Sequence, residues 1–404
     1  MLLFLATTLN YLDRQVMGIL APILQKEMRL GNEALGWLFS VFYYSYTFSQ
    51  FAVGLVLDRS NLRWTYGLAV ITWSVVAALT GLASGFGLLL VFRLLLGIAE
   101  SANWPGALRI VARALPPGER ALGSGIFTSG TSIGALIAPG LVLGITSAFG
   151  WRWAFAAVGS LGVLWFAGWI WFTRRADMSQ VWRASVEERS NPGGPLLYGR
   201  GSVLADLLRN WQFWRVWLVA ILVNPCLYFN VNWLPTYLAQ ERGLAPGRQM
   251  GIVLTAIYVG LDLGYLTCGA GVLWLTRRGR SLQSAQRIVF VSATVLIALC
   301  AVVPSIRSLN GAVAALVVVN FGVGMWIATY LTFAQNVSQA HISTAAGLLG
   351  GSGSLVGALA MWAVGKVTQQ TASFTIPMFT VVLAVIVDAI AGWTASRTPG
   401  EARS

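Results

Sequence analysis

Charge is what this chain has least of. Only 10% of its 404 residues are charged, 56% are hydrophobic, and mean hydropathy is +0.69. A soluble domain carries about 25% charged residues, so the shortage excludes an ordinary soluble fold. Histidine is scarcer still. The single His341 excludes a bis-histidine haem or a histidine-cluster metal site, and its place at the start of a helix reads as interfacial. Cysteine occurs three times, at Cys226, Cys268 and Cys300, odd in number and without metal-site spacing. All three read as small apolar packing residues. No nucleophile–base pair, metal set or phosphate loop is present, which argues against an enzyme. No soluble signalling domain is present, which argues against a sensor. The first apolar run lacks a basic leader and outlasts the roughly 7–15 residues of a signal-peptide core, so no cleavable signal peptide is expected. The chain begins almost inside its first helix, as it would if a short basic head preceded Met1.

What is present in quantity is the long apolar run. Twelve spans, each near the ~20 residues a bilayer requires, are predicted at 2–24, 34–57, 65–83, 87–111, 121–145, 152–172, 212–238, 249–275, 287–304, 309–332, 342–365 and 373–394. The fold class is therefore an all-α polytopic membrane protein. Most connections are short. The exception, 173–211, contains the breaker Asn191-Pro192-Gly193-Gly194-Pro195 and ends in an amphipathic stretch around Val203–Arg209. It divides the chain into six helices at 1–172, a cytoplasmic linker at 173–211, six helices at 212–394 and a tail at 395–404. Two six-helix halves joined this way suggest a transporter with a central site.

The formal net charge is +13. In a soluble protein that would point to nucleic acid; here the positive-inside rule accounts for it. Basic residues gather in alternate connections: Arg59 and Arg63; Arg109, Arg113 and Arg120; Arg174 through Arg215; and Arg277, Arg278, Arg280 and Arg287. Fewer lie on the opposite side, among them Lys26, Arg29 and Arg152. The bias predicts both termini in the cytoplasm.

Some charges fall inside the spans, where insertion costs about 2.5–3.5 kcal/mol each and a use is expected. Asp13 and Arg14 are adjacent in the first span, within Asn10-Tyr11-Leu12-Asp13-Arg14-Gln15. Neighbours on a helix point about 100° apart, so Asp13 can face the fourth span while Arg14 faces the cavity. In that fourth span, Arg93 and Glu100 are seven residues apart and share one helix face. A carboxylate in apolar surroundings favours its protonated form, and a nearby cation opposes this. Moving the cation would therefore switch the hold on the proton. Arg14 stays charged and offers a planar fork that matches a carboxylate.

The seventh span supplies neutral groups suited to a polyol: Asn224, Tyr228, Asn230 and Asn232. Hydrogen bonds between helices are the alternative use. Asn320, Trp326 and Tyr330 in the tenth span, and Ser352 and Ser354 in the eleventh, are further candidates. Gly130 with Gly134, and the glycines from Gly347 to Gly357, read as close-packing sites. Asp262 is either structural or part of the site, and Asp388 is expected near the interface or packed.

Between spans two and three runs Gly54-Leu55-Val56-Leu57-Asp58-Arg59-Ser60-Asn61-Leu62-Arg63. Asp58 and Arg59 at the membrane face can form a conformation-dependent ion pair and are assigned to gating. The loop resembles the signature loop of the major facilitator superfamily, and Thr276-Arg277-Arg278-Gly279-Arg280 echoes it between spans eight and nine. With Asn10–Arg14 and Arg93-x-x-x-Gly97-x-x-Glu100-Ser101-Ala102-Asn103-Trp104-Pro105-Gly106, the chain resembles the anion:cation symporter family of that superfamily, and most of all bacterial hexuronate transporters. Trp233-Leu234-Pro235, Asp262-Leu263-Gly264 and Arg277–Ser281 support that branch.

The resemblance implies proton-coupled import of a sugar-acid anion, such as glucuronate or galacturonate. Protons and the anion would bind from outside, the neutralised bundles would rock, and both would leave inward. Arg14 would pair with the substrate carboxylate, and Tyr11 and Tyr46 would bond the carboxylate or hydroxyls. Asp13 and Glu100 would carry protons under the influence of Arg93. Asn230, Asn232 and Ser354 would complete the substrate site, although relatives often place Asn where Ser354 stands. No cofactor is implied beyond a proton gradient. The partners implied are a small anion and the lipid bilayer, without nucleic acid, for a functional monomer in a bacterial inner membrane. Another organic anion (an aldonate, aldarate or aromatic acid) is the main alternative. An efflux antiporter fits less well, because Gly130–Gly140 lacks the full glycine–proline pattern of that class. A non-transporting sensor is the remaining alternative.

Overall fold

The computed structural model of the chain describes residues 1–115, 120–174, 208–336 and 342–395. The described residues are helical almost throughout. The helices are α1 (Leu2–Met28), α2 (Asn32–Arg59), α3 (Leu62–Thr80), α4 (Phe86–Glu100), α5 (Asn103–Ala114), α6 (Arg120–Phe149) and α7 (Trp151–Thr173). After the linker come α8 (Trp211–Gln240), α9 (Arg248–Arg277), α10 (Leu282–Ala298), α11 (Leu309–Asn336), α12 (Ile342–Thr371) and α13 (Thr375–Ala395). Among the described residues, nine helical stretches are long and apolar enough to cross a membrane by length and composition, and Thr375–Ala391 is a shorter apolar helix. The chain is a multi-pass membrane protein. Most of the linker and its amphipathic stretch, His341 and the tail lie outside the described residues.

The predicted fourth span is broken. α4 stops at Glu100 and α5 restarts at Asn103. Pro105 explains the break: it has no N–H to give Ser101, and its ring would collide with that carbonyl. Pro304 acts similarly beyond α10, which passes into two 3-10 turns, Leu299–Ala301 and Val303–Ser305. Elsewhere the termini follow capping chemistry. Asn61 accepts from the Arg63 amide at 3.0 Å to start α3, and Ser281 accepts from the Ser284 amide at 3.2 Å to start α10. Gly279, at φ 85°, turns the chain between α9 and α10 in a left-handed conformation suited to glycine.

The chain folds into two compact units, Met1–Tyr198 with Val231–Ile252, and Gly199–Asn230 with Val253–Ser404. Lipid is as apolar as leucine, so helices here associate through close packing and not through water exclusion. In the first unit α1 packs on α6, α2 on α4, and α3 on α7. A Cβ at Gly130 or Gly134 would collide with the Phe4 or Thr8 carbonyl of α1. At Gly97 it would strike Ser45 Oγ and the Phe42 carbonyl of α2. The segment Val231–Ile252 belongs to this unit for visible reasons. Gly18 admits the Val231 carbonyl, Phe39 meets Trp233 edge-on at 5.3 Å, and an amide ring joins Gln25, Asn32 and Gln240.

In the second unit, Gly260 and Gly264 of α9 pack on Val317 and Phe321 of α11, and Gly353 and Gly357 of α12 pack on Asn224 and Tyr228 of α8. The outer surface is apolar, as lipid requires: Leu164 of α7 and Leu266 of α9 are 69% and 71% exposed.

Candidate functional site: a buried charge cluster on α1, α2 and α4

The intramembrane charges of the first unit converge. Arg14 Nε of α1 donates to Glu100 Oε2 of α4 at 2.7 Å. The Arg14 side chain is 15% exposed while Glu100 is fully buried. Three rings of α1 and α2 surround the guanidinium, with centroids at 4.4 Å for Tyr46, 5.2 Å for Tyr11 and 5.4 Å for Phe42. Such faces attract a cation where water is scarce. Arg93 sits 4.3 Å over the same Phe42 ring and donates to the Leu38 carbonyl at 3.2 Å. The cluster therefore holds two cations, Arg14 and Arg93, with two acids, Glu100 and Asp13.

Asp13 is 4% exposed and its Oδ1 has no well-formed hydrogen bond; the same holds for Glu100 Oε1 and both amide atoms of the buried Asn10. Asn10 lies beside Glu100, and Asp13 is close enough to feel the Glu100 charge. Buried polar atoms left open in this way mark a site where a proton or polar solute changes the energetics most.

The sequence expectation puts Asp13 toward the fourth span and Arg14 toward the cavity; Arg14 also meets the fourth span, where it bonds Glu100. A guanidinium on a long stem has the reach to cross between helices. Tyr11 and Tyr46 lie with their rings against Arg14, and the Tyr46 hydroxyl accepts from Gln50 at 3.2 Å. Asp58 and Arg59 end α2, and their side chains lie outside the described residues.

The other candidates lie apart from this cluster. Asn232 is buried in the first unit and donates to the Tyr43 hydroxyl at 3.1 Å. Asn230, also buried, is in the second unit. There Ser354 shares a 2.9 Å hydrogen bond with Tyr228. Asn224 and Asn320 each donate to a carbonyl of their own helix, at 2.9 Å. Asp388 is fully buried in the second unit. Sequence reasoning missed Phe42 and Tyr43. Phe39, Phe42, Tyr43 and Tyr46 follow the i, i+3, i+4, i+7 stripe of one helix face, and that signal could have found them.

A sequence profile of the Major Facilitator Superfamily matches residues 3–361. The chain belongs to the Major Facilitator Superfamily. It is similar to the hexuronate transporter of Bacillus subtilis (strain 168), at 26% identity over 384 residues, covering 92% of this chain and 88% of that one. It is similar also to the D-galactonate transporter of Escherichia coli O6:H1, at 28% identity over 297 residues, 71% of this chain and 69% of that one. Among solved structures, the major facilitator fold is shared with a bacterial homologue of the human lysosomal transporter Spinster. The TM-score is 0.74 at 20% identity, over 100% of this chain and 97% of that chain. Members of this superfamily are transporters, and the chain is a transporter of that type, not an enzyme.

Proposed function

We propose that the chain is a proton-coupled symporter importing a sugar-acid monoanion, a hexuronate such as glucuronate or galacturonate. The observation that carries this reading is the Arg14–Glu100 pair, a largely buried cation held by a fully buried acid. With Glu100 ionised, Arg14 is satisfied. With Glu100 protonated, Arg14 is left as a buried cation that needs an anion, and a substrate carboxylate supplies one. Breaking a buried pair costs about 3–5 kcal/mol, or roughly two to nearly four orders of magnitude in affinity. Proton and anion binding therefore strengthen each other, and by linkage the coupling is reciprocal. Asp13, beside Glu100, is the second proton carrier, and Arg93 biases both acids. The names of the similar bacterial transporters support a sugar acid as the anion. The similarity to a D-galactonate transporter also favours a second reading, an aldonate.

The basic bias of the connections supports an orientation with both termini in the cytoplasm of a bacterial inner membrane. Function as a monomer is part of the same proposal. The test is uptake of labelled glucuronate into proteoliposomes with an imposed pH gradient, competed by a panel of uronates, aldonates, aldarates and aromatic acids. Accumulation should require an acidic exterior, and uronates should compete best. Uptake indifferent to the gradient removes proton coupling, and competition led by aldonates moves the substrate to the second reading.

A further inference from the structure

The seam between α8 and α13 in the second unit carries a surface unrelated to the charge cluster. Trp211, Trp214, Arg215 and Leu218 of α8 face Val387 and Ile390 of α13 across a cavity of about 370 Å³. A second cavity of about 200 Å³ follows along the same helices, where Leu222 and Pro225 of α8 and Val381 and Ala384 of α13 share its wall with Val356 and Ala360 of α12. The lining positions on each helix advance by three or four residues, so each set forms one continuous face.

The chemistry along this seam is graded. Among the described residues, Arg215 is the only charged one lining either cavity, and it lies at the helix start. Its guanidinium stands 5.8 Å from the Trp211 ring centroid. Trp214 is fixed as a wall by its Nε1–H, which donates to the Leu208 carbonyl at 2.7 Å. Trp211 and Ile390 are each 67% exposed, so the mouth opens outward. Tryptophan and arginine at the end of a span suit the membrane–water boundary. Deeper in, the walls are almost wholly apolar, with no side-chain amide or carboxylate among the described residues to meet a sugar. From Trp211 to Leu222 the helix rises about 16 Å, close to one leaflet of a hydrocarbon core about 30 Å thick.

We propose that this seam binds an anionic phospholipid, its phosphate held by Arg215 beside Trp211 and one acyl chain lying between α8 and α13. An arginine fork matches phosphate geometry, and the apolar groove takes the chain. The assignment to the cytoplasmic leaflet rests on the orientation proposed above; the binding itself does not.

Native mass spectrometry of the purified full chain, titrated with phosphatidylglycerol or phosphatidylcholine of equal chain length, tests the site. Phosphatidylglycerol should bind more tightly by about fivefold, the worth of one arginine against an anionic lipid. Arg215→Gln should erase that preference and keep phosphatidylcholine binding. Leu218→Trp should fill the cavity and weaken both lipids. The matched control is Arg278→Gln, since Arg278 stacks on Trp274 at 3.8 Å outside the seam; it should keep the preference. Millimolar inorganic phosphate should not displace the lipid. Equal binding of the two lipids by the unaltered chain overturns the proposal. So does a preference that survives Arg215→Gln, one lost equally in Arg278→Gln, or displacement by free phosphate.

Discussion

The interiors of the two units are built from different chemistry. The first buries Arg14, Arg93, Glu100 and Asp13 within reach of one another and cushions the cations on Tyr11, Phe42 and Tyr46. The second buries mostly neutral groups: the Tyr228–Ser354 bond, the Cys268–Thr329 contact at 3.3 Å, and amides turned onto their own helices, with Asp388 as the charged exception among the described residues. Backbone packing does not separate them, since both use glycines to bring helices together. The contrast teaches where switching can reside. A buried ion pair changes energy by several kcal/mol when one partner gains a proton, whereas a neutral hydrogen bond is worth about 0.5–1.5 kcal/mol. Under the proposed function, the first unit would couple a proton to an anion and the second would meet hydroxyls.

The largest test of that contrast is Arg14→Ala. Uptake should fall to background, and stability in detergent should drop by about 3–5 kcal/mol because Glu100 loses its partner. Adding Glu100→Ala should restore most of the thermal stability while uptake stays lost, which separates the pair's structural role from its transport role. Normal uptake by Arg14→Ala would place the anion elsewhere and dissolve the comparison.

Next comes Glu100→Gln. It should abolish accumulation driven by an acidic exterior and flatten the dependence of uptake on external pH, while substrate exchange at equal pH persists. For the unaltered chain the proposed coupling sets the sign: uptake should rise as external pH falls. A steep pH profile in the variant would hand the proton to another group.

Gly97→Val should cost about 1–3 kcal/mol of stability by overpacking against α2. Gly87→Ala on the same helix should be nearly silent, since nothing lies within 4 Å of a Cβ there. Comparable losses in both would show that the α2–α4 contact is not what holds the cluster.

The smallest effect is expected from Ser354→Ala. Loss of the Tyr228 bond should raise KM by roughly two- to tenfold, the equivalent of about 0.5–1.5 kcal/mol, and leave kcat unchanged. Uncoupling by this variant would mean that the neutral unit also handles the proton.

Much of the fold was legible because lipid imposes a simple rule. Every apolar run of sufficient length must be helical to satisfy its backbone, and the run lengths together with the Asp58–Arg59 loop pointed to the superfamily. Pro105 and Pro304 stand close to where α4 and α10 end, yet the apolar pattern of the fourth span carries on through its proline and reads as one continuous helix. The membership of the charge cluster was legible too, since charges this costly stand out in an apolar chain. Which partner each would choose was not. Arg14 and Glu100 are 86 residues apart, and which side chains of α1 and α4 meet depends on how each helix packs on its own neighbours, α6 and α2.

The sequence alone therefore determined that this is a helical membrane transporter with acid and arginine inside its first half, because hydropathy and the cost of buried charge act residue by residue. Only the tertiary structure decided that Arg14 spends its fork on Glu100, that Phe42 takes both guanidinium groups, and that Val231–Ile252 packs with the first unit. Those outcomes depend on how far helices approach and how they are rotated, and both arise from packing the whole unit at once.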